Sequence, residues 1–272
     1  MLSKFKTEIV LIVVAMTCFS LWLVSETNLV RIEYHDLSRA DMGTKLHGLR
    51  IAHLSDLHTS DYGLLEQIVI RRLMDIDPDL IFLTGDYIDY NDEIPACSIF
   101  LGRIAEIAVT VATLGNNDHS FRGREIELER LKNIFSLYDI SLLQNQSALL
   151  HTGTDSVFLV GLDDDYLWFD DYYLASYGIP DSVPKIVLAH SPDVAHKIDL
   201  TGVKLILSGH THGGQIRVPY FNEIYSNTRF DYTSGLSFAD DSSTVMYNNR
   251  GLGTTMIPLR LFSAPEIAVF DF

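Results

Sequence analysis

The feature that most constrains this chain is a series of short apolar runs, each ending in small or polar residues. They are Leu49 to Ser55, Leu80 to Thr84, Val109 to Leu114, Val157 to Leu162, Ile186 to Ala189 and Leu205 to Ser208. Runs this short and this continuously apolar fit strands buried on both faces. Helical patterns separate them at Leu64 to Asp75, Ser98 to Ile107 and Arg124 to Tyr138. Strands alternating with helices predict an α/β architecture. With 272 residues and 47% hydrophobic composition, the chain can bury a sizeable core. From residue 29 onward no repeat, low-complexity segment or long Pro/Gly/Ser linker divides it, so one domain is expected there.

The residues just beyond the runs carry the chemistry. Ser55-Asp56-Leu57-His58 closes the first, Gly85-Asp86 the second and Gly115-Asn116-Asn117-Asp118 the third. His190 comes after the run at Ile186, and Gly209-His210-Thr211-His212 after the run at Leu205. Carboxylate, amide and imidazole groups without thiolates suit a hard or borderline divalent cation. Taken singly, each piece has an ordinary explanation: an Asp after a strand caps the next helix, and a lone His is a hydrogen-bonded core residue. Five pieces at five strand ends require a common cause, because ligand sites in α/β sheets gather at the carboxyl ends of strands.

Charge narrows the partners. The chain has 20 Lys and Arg against 36 Asp and Glu, a formal net charge of −16, which argues against nucleic acid. Two cysteines, one of them Cys18 within an apolar stretch, do not form a disulfide framework.

At the N-terminus, Ile9 to Val24 carries no charge over sixteen residues, preceded by Lys4 and Lys6. No small-x-small cleavage pattern comes after it, since the next residues are Ser25-Glu26-Thr27-Asn28, which favours a retained membrane anchor over a removed signal. A buried core helix is the weaker alternative, because the run has no polar stripe. Residues 1–28 are thus expected to be a single-pass anchor or uncleaved signal and residues 29–272 the catalytic domain. Lys4 and Lys6 against Arg31 and Arg39 give a slight preference for a cytoplasmic N-terminus.

The motifs together resemble the calcineurin-like metallophosphoesterases. Their blocks are matched by D-x-H at Asp56 and His58, G-D at Asp86, the lone His190, and G-H-x-H at His210 and His212, while the third block matches partly. His190-Ser191-Pro192-Asp193, GHTHGGQIRVP from Gly209 to Pro219 and YNNRGLG from Tyr247 to Gly253 resemble more narrowly a small bacterial membrane-associated phosphodiesterase branch. The resemblance implies a four-layer sandwich of two mixed β-sheets flanked by helices, with a dinuclear metal site at the strand ends. It implies that Asp56, His58, Asp86 and His212 hold one metal and that Asp86, Asn116, His190 and His210 hold the other, with Asp86, Asn116 and His210 closest to catalysis. Two divalent cations are expected, Mn foremost and Zn, Fe or Mg as alternatives; ~3.5–4 Å apart, they would clamp a phosphate and generate a hydroxide nucleophile.

One position departs from the pattern. Asn117 stands where the family has a histidine that assists the leaving oxygen, and a neutral amide is no acid. His119 can substitute, the leaving group can need no proton, or activity is reduced. A phosphoanhydride satisfies the second option, which is favoured, and the resemblance then extends to the family members that cleave UDP-2,3-diacylglucosamine; a general phosphodiesterase and a catalytically weak scaffold are the alternatives. Asn117, His119 and Arg250 are the candidate substrate contacts, Arg250 as a phosphate clamp or, equally, one side of an ion pair. Arg122 and Arg124 are further phosphate contacts or solvated loop charges. Asp163 to Tyr173, acidic and aromatic, reads as a lid, a membrane-facing loop or a cover for the core edge.

Overall fold

Side chains along each apolar run alternate between two different cores, as the twofold period of a strand requires. In β2 (Arg50–Leu54), Ile51 enters one core, and Ala52 and Leu54 another. In β3 (Leu80–Thr84), Leu80 and Phe82 are separated in the same way from Ile81 and Leu83. The computed structural model describes residues 2–38, 46–120, 126–152, 155–217, 227–230 and 232–272. Arg39, Arg122, Arg124, Val218 and Pro219 lie outside them.

Two six-stranded mixed sheets result. The first has the order β1 (Arg31–Asp36), β12 (Glu266–Asp271), β2, β3, β4 (Val109–Thr113), β5 (Ser141–Leu142). The second has the order β10 (Gly235–Phe238), β11 (Val245–Asn248), β9 (Val203–Ser208), β8 (Lys185–Leu188), β7 (Asp155–Gly161), β6 (Gln146–Thr152). Ile51, Phe82 and Phe270 from the first sheet meet Leu159, Leu188, Leu207 and Tyr247 from the second in the central core. Each such side chain contributes about 1.5–3 kcal/mol by leaving water.

The first sheet's other face is covered by α2 (Leu64–Ile76), α3 (Ile94–Ala105) and α4 (Leu128–Leu137). Val69, Leu73 and Ile76 of α2 are buried at helical spacing, and Glu66 caps its start by accepting the Gly63 N–H at 2.8 Å. Helix α3 begins four residues before the expected Ser98, because Pro95 sits in its first turn, where a missing N–H costs nothing. The second sheet is covered more thinly, by the single-turn α5 (Tyr172–Ala175) and the 3-10 segment Pro192–His196. The four-layer sandwich is therefore present, with unequal outer layers.

Strand directions position the site. Strands β2, β3 and β4 run parallel to one another, as do β11, β9 and β8, so their carboxyl ends emerge along common edges. Helix α1 (Leu2–Glu26) stands apart: its Lys6–Leu23 window is long and apolar enough to cross a membrane, and none of it is buried. That exposure does not match the core-helix alternative.

Candidate metal centre

Asp56 and His58 follow β2, Asp86 follows β3, Asn116 follows β4, His190 follows β8, and His210 and His212 follow β9. All seven are buried. Their backbones explain how six of these side chains, from four strand ends, converge. Asp56, His58, Asp86, His210 and His212 all have positive φ, between 40° and 69°. A left-handed non-glycine residue costs on the order of 1–3 kcal/mol and persists only where its surroundings impose it. Each of these strand ends therefore curls sharply and turns its donor back toward the shared centre.

The glycines beside the donors leave the space for this. A Cβ on Gly115 would lie 2.3 Å from Asp86 Oδ1, and one on Gly209 would lie 2.3 Å from Asp56 Oδ2.

Two groups of donors result, Asp56 with His58 and His212, and Asp86 with His190 and His210. Within the second, His190 Nε2 lies 3.2 Å from Asp86 Oδ2 and 3.0 Å from His210 Nδ1. Within the first, His212 Nε2 lies 3.3 Å from Asp56 Oδ1. Donors on one ion, with bonds of ~2.1 Å at roughly tetrahedral or octahedral angles, stand about 3.0–3.4 Å apart, so these separations fit a cation. Asp86 Oδ2 is also 3.6 Å from His58 Nε2, which places this carboxylate between the two groups.

Unpartnered polar atoms point the same way. Asn116 Oδ1 and His58 Nε2 are buried without a hydrogen bond. A buried polar atom left unpaired costs about 1–3 kcal/mol, and two such atoms at these strand ends mark the place of a ligand. The His190 Nδ1–H donates to the Thr84 carbonyl at 2.8 Å, which fixes the ring with Nε2 facing Asp86; burial opposes charge on this imidazole, but Asp86 in turn holds its pKa well above its ordinary value.

Electrostatics divide the imidazoles. Burial, aided by His190, lowers His210 to about 3, and burial with His58 and Arg260 takes His212 well below the usual range. Both are thus neutral, as metal ligands must be. Burial opposes charge at His58 too, but Asp89, Asp86 and Asp56 hold it up to about 9, so a cation bound there would have to displace its proton. Burial would raise Asp86, yet His190, His58 and His210 hold it well below the carboxylate range.

Around the donors lie residues that the motif blocks did not single out. Asp118 accepts the N–H groups of Asp86, Tyr87 and Gly115 at 2.9, 2.8 and 2.8 Å, tying the loop after β3 to that after β4. Its signal was its place in the partly matched third block. Asp89 lies 3.3 Å from His58 Nδ1, and no sequence spacing announced it.

The three candidate substrate contacts have definite partners. Asn117 donates from Nδ2 to Asp86 Oδ2 at 2.8 Å, and its backbone N–H donates to Asp86 Oδ1 at 2.8 Å. His119 Nε2 lies 2.7 Å from Asp163 Oδ1, and Gln144 donates to the other oxygen of Asp163 at 2.7 Å. Burial opposes its charge, but Asp163 raises the His119 pKa. Arg250 is engaged by Glu266 and Glu33, the ion-pair alternative left open beside the phosphate clamp. The acidic and aromatic loop after β7 closes over this edge, with the Tyr166 ring 4.9 Å from that of His210 and Phe169 4.6 Å from His119.

The model of the calcineurin-like phosphoesterase family matches residues 49–214, which span the loops from Asp56 to His212. The chain is a calcineurin-like phosphoesterase. Relatives of this phosphoesterase include the uncharacterized metallophosphoesterase YkuE of Bacillus subtilis, 32% identical over 252 residues, covering 90% of this chain and 86% of that protein. The phosphodiesterase YaeI of Escherichia coli is 33% identical over 229 residues, 82% of this chain and 81% of that protein. The UDP-2,3-diacylglucosamine pyrophosphatase LpxG of Chlamydia trachomatis is 29% identical, covering 90% of this chain and 89% of that protein. The crystal structure of TT1561 of Thermus thermophilus shares the fold, with a TM-score of 0.50 at 14% identity, over 75% of this chain and 90% of that one.

Proposed function

We propose that this phosphoesterase hydrolyses a phosphoanhydride in a lipid-linked nucleotide, of which UDP-2,3-diacylglucosamine is the type. It does so as a single-pass membrane protein, with residues 1–28 as anchor and 29–272 as catalytic domain. Asn117 is the observation that carries this reading. An amide occupies the slot of the leaving-group histidine and is spent on Asp86, so a substrate whose leaving group departs as a stable anion suits the site.

Asp56, His58, Asp86 and His212 hold one cation in this reading, and Asp86, Asn116, His190 and His210 the other. A bound pair of divalent cations supplies Lewis acidity toward phosphate oxygens and a lowered pKa for water. Nitrogen and oxygen donors without sulfur favour Mn, with Fe and Zn also suited. Asp86 would serve both cations, and Asn117 orients it through both its side-chain and backbone N–H groups. His190 keeps its tautomer through Thr84, and Asp56 is fixed by the His210 N–H, which it accepts at 3.0 and 3.1 Å. The loop carrying Tyr166 and Phe169 limits water at the edge beside His210 and His119.

Purified protein with Mn, offered a nucleotide-sugar pyrophosphate and an alkyl phosphodiester, should prefer the pyrophosphate. A clear preference for the diester sinks the anhydride reading. The second reading, a general phosphodiesterase, is favoured by the His119–Asp163 contact, which raises the pKa of an imidazole two residues from Asn117 and so favours the form that can protonate an alkoxide. Under that reading His119→Ala abolishes diester turnover; under the first it leaves pyrophosphate turnover almost unchanged.

A further inference from the structure

Met256, Ile257 and Phe262 are 74%, 49% and 50% exposed, three large apolar side chains of one loop between β11 and β12. Met256 and Phe262 both have positive φ, 61° and 53°, a conformation that bulky residues adopt only under constraint. The constraint comes from polar groups that turn inward and hold the loop. Fully buried Arg260 donates to the carbonyls of Ser263 at 2.8 Å, Arg250 at 3.0 Å and Gly253 at 2.5 Å. Gln215 donates to the carbonyls of Thr255 and Ile257 at 3.0 and 2.8 Å and accepts the Thr255 N–H at 2.9 Å. The loop is thus a firmly held platform with its polar side inward and its apolar side chains in solvent.

Helix α1 joins this platform. The Trp22 ring meets that of Phe262 edge-on, with centroids 5.0 Å apart and planes at 67°. Four residues on, Glu26 is buried, and its Oε1 accepts the Ser263 N–H at 3.1 Å. The exposed apolar surface of α1 therefore continues without a break onto the loop.

We propose that Met256, Ile257, Phe262 and Trp22 form a bilayer-docking face that inserts at the boundary of headgroups and acyl chains where α1 enters the membrane. This deepens the anchor reading above by adding a second contact that fixes the domain's orientation. Aromatic residues favour that boundary, and apolar area beside a helix end adds to the binding. The net charge of −16 and the burial of Arg260, the one charged residue between Gly251 and Pro265, make insertion apolar, without attraction to anionic lipid. Docking has a consequence for the site: Ser263 donates from Oγ to the His212 carbonyl at 2.8 Å, so the donor cluster is held directly behind the face. A phosphate on a lipid would be met at the membrane surface.

The test uses the full chain in phosphatidylcholine vesicles with brominated acyl chains, which quench indole on contact. Trp22 and Trp168 are the chain's two tryptophans, so Trp168→Phe isolates Trp22. Phe262→Trp in a Trp22→Phe, Trp168→Phe background reports on the loop, and Tyr177→Trp in that background is the control, since Tyr177 is 89% exposed. Tryptophans at 262 and 22 should lose most of their emission, in high salt as in low, while the one at 177 keeps it. Emission retained at 262 with Trp22 quenched overturns the docking face and leaves the anchor standing, whether the loop meets water or a second copy. Emission retained at both overturns both, whereas quenching at 262 alone sustains docking and refutes the anchor. Quenching at 262 that requires anionic lipid and vanishes with salt also overturns the proposal.

Discussion

The donor cluster and helix α1 invert the same rule in opposite directions. The cluster buries carboxylates and imidazoles away from solvent, whereas α1 exposes Leu11, Ile12, Val13 and Met16. Neither arrangement is stable alone, since buried unpaired polar atoms and exposed apolar stretches both cost free energy. Under the proposed function each region is half of an interaction, whose other half would be cations for the clustered donors and hydrocarbon for the apolar helix. The difference also shows in the backbone. The cluster spends conformational strain at five donors to aim side chains, while α1 is a regular helix without positive-φ residues.

Breaking the buried half should have the largest effect. Asp86→Asn removes the carboxylate between the two donor groups, and loss of one partner from a buried charged set costs about 3–5 kcal/mol. Metal content measured after purification should fall, and turnover with added Mn should drop to background. Chelation of the wild type should do the same reversibly and lower its Tm, because a ligand bound to the folded state at ~100 times its Kd stabilises by about 2.7 kcal/mol.

Breaking the exposed half comes next. Val13→Lys with Val14→Lys puts two charges at the middle of α1, each costing about 2.5–3.5 kcal/mol at a bilayer centre. The protein should move from the membrane to the soluble fraction while keeping its turnover of a soluble aryl phosphodiester. If it stays membrane-bound, α1 is not the anchor.

Asn117→His sharpens the comparison by restoring an acid to the cluster's edge. Alkyl phosphodiester hydrolysis should rise, by about 100-fold if the new imidazole protonates the leaving oxygen, with little gain on a pyrophosphate. Equal gains on both would mean that position 117 acts through Asp86 alone.

The smallest effect is expected at the His119–Asp163 pair. Its folded-state shifts are upward for His119 and downward for Asp163. The His119 contribution is complete below its unfolded value of ~6.5 and is lost as pH rises through the raised pKa. The Asp163 contribution is complete above ~3.9 and is lost as pH falls through the lowered one. Asp163→Asn should therefore destabilise most between about pH 4 and 6.5, by about 1–3 kcal/mol in denaturant unfolding.

Much of this was legible in the chain. Leu80 to Thr84 appears as read, and all seven candidate ligands are buried just past strand ends, because burial on both faces and a polar exit leave a continuous local signature. The edge strands β1, β5, β6 and β10 were not legible, since half-exposed edges carry no such signature; nor was β12, whose place between β1 and β2 depends on strands far away in sequence. Glu26 reads in sequence as the end of an apolar helix, yet its carboxylate is buried against Ser263.

The sequence by itself determined the inventory: strand-forming runs, an apolar N-terminal helix, and donors of the right chemistry at the right strand ends. Only the tertiary structure decided pairing. Asp56 meets the His210 N–H across 154 positions, Arg250 meets Glu33 across 217, and Glu26 meets Ser263 across 237. Such contacts arise from sheet order and strand direction, which are set when two sheets pack their alternating faces into one core. That packing is a property of the whole chain, and it made Asn117 a partner of Asp86 and placed α1 against the loop behind His212.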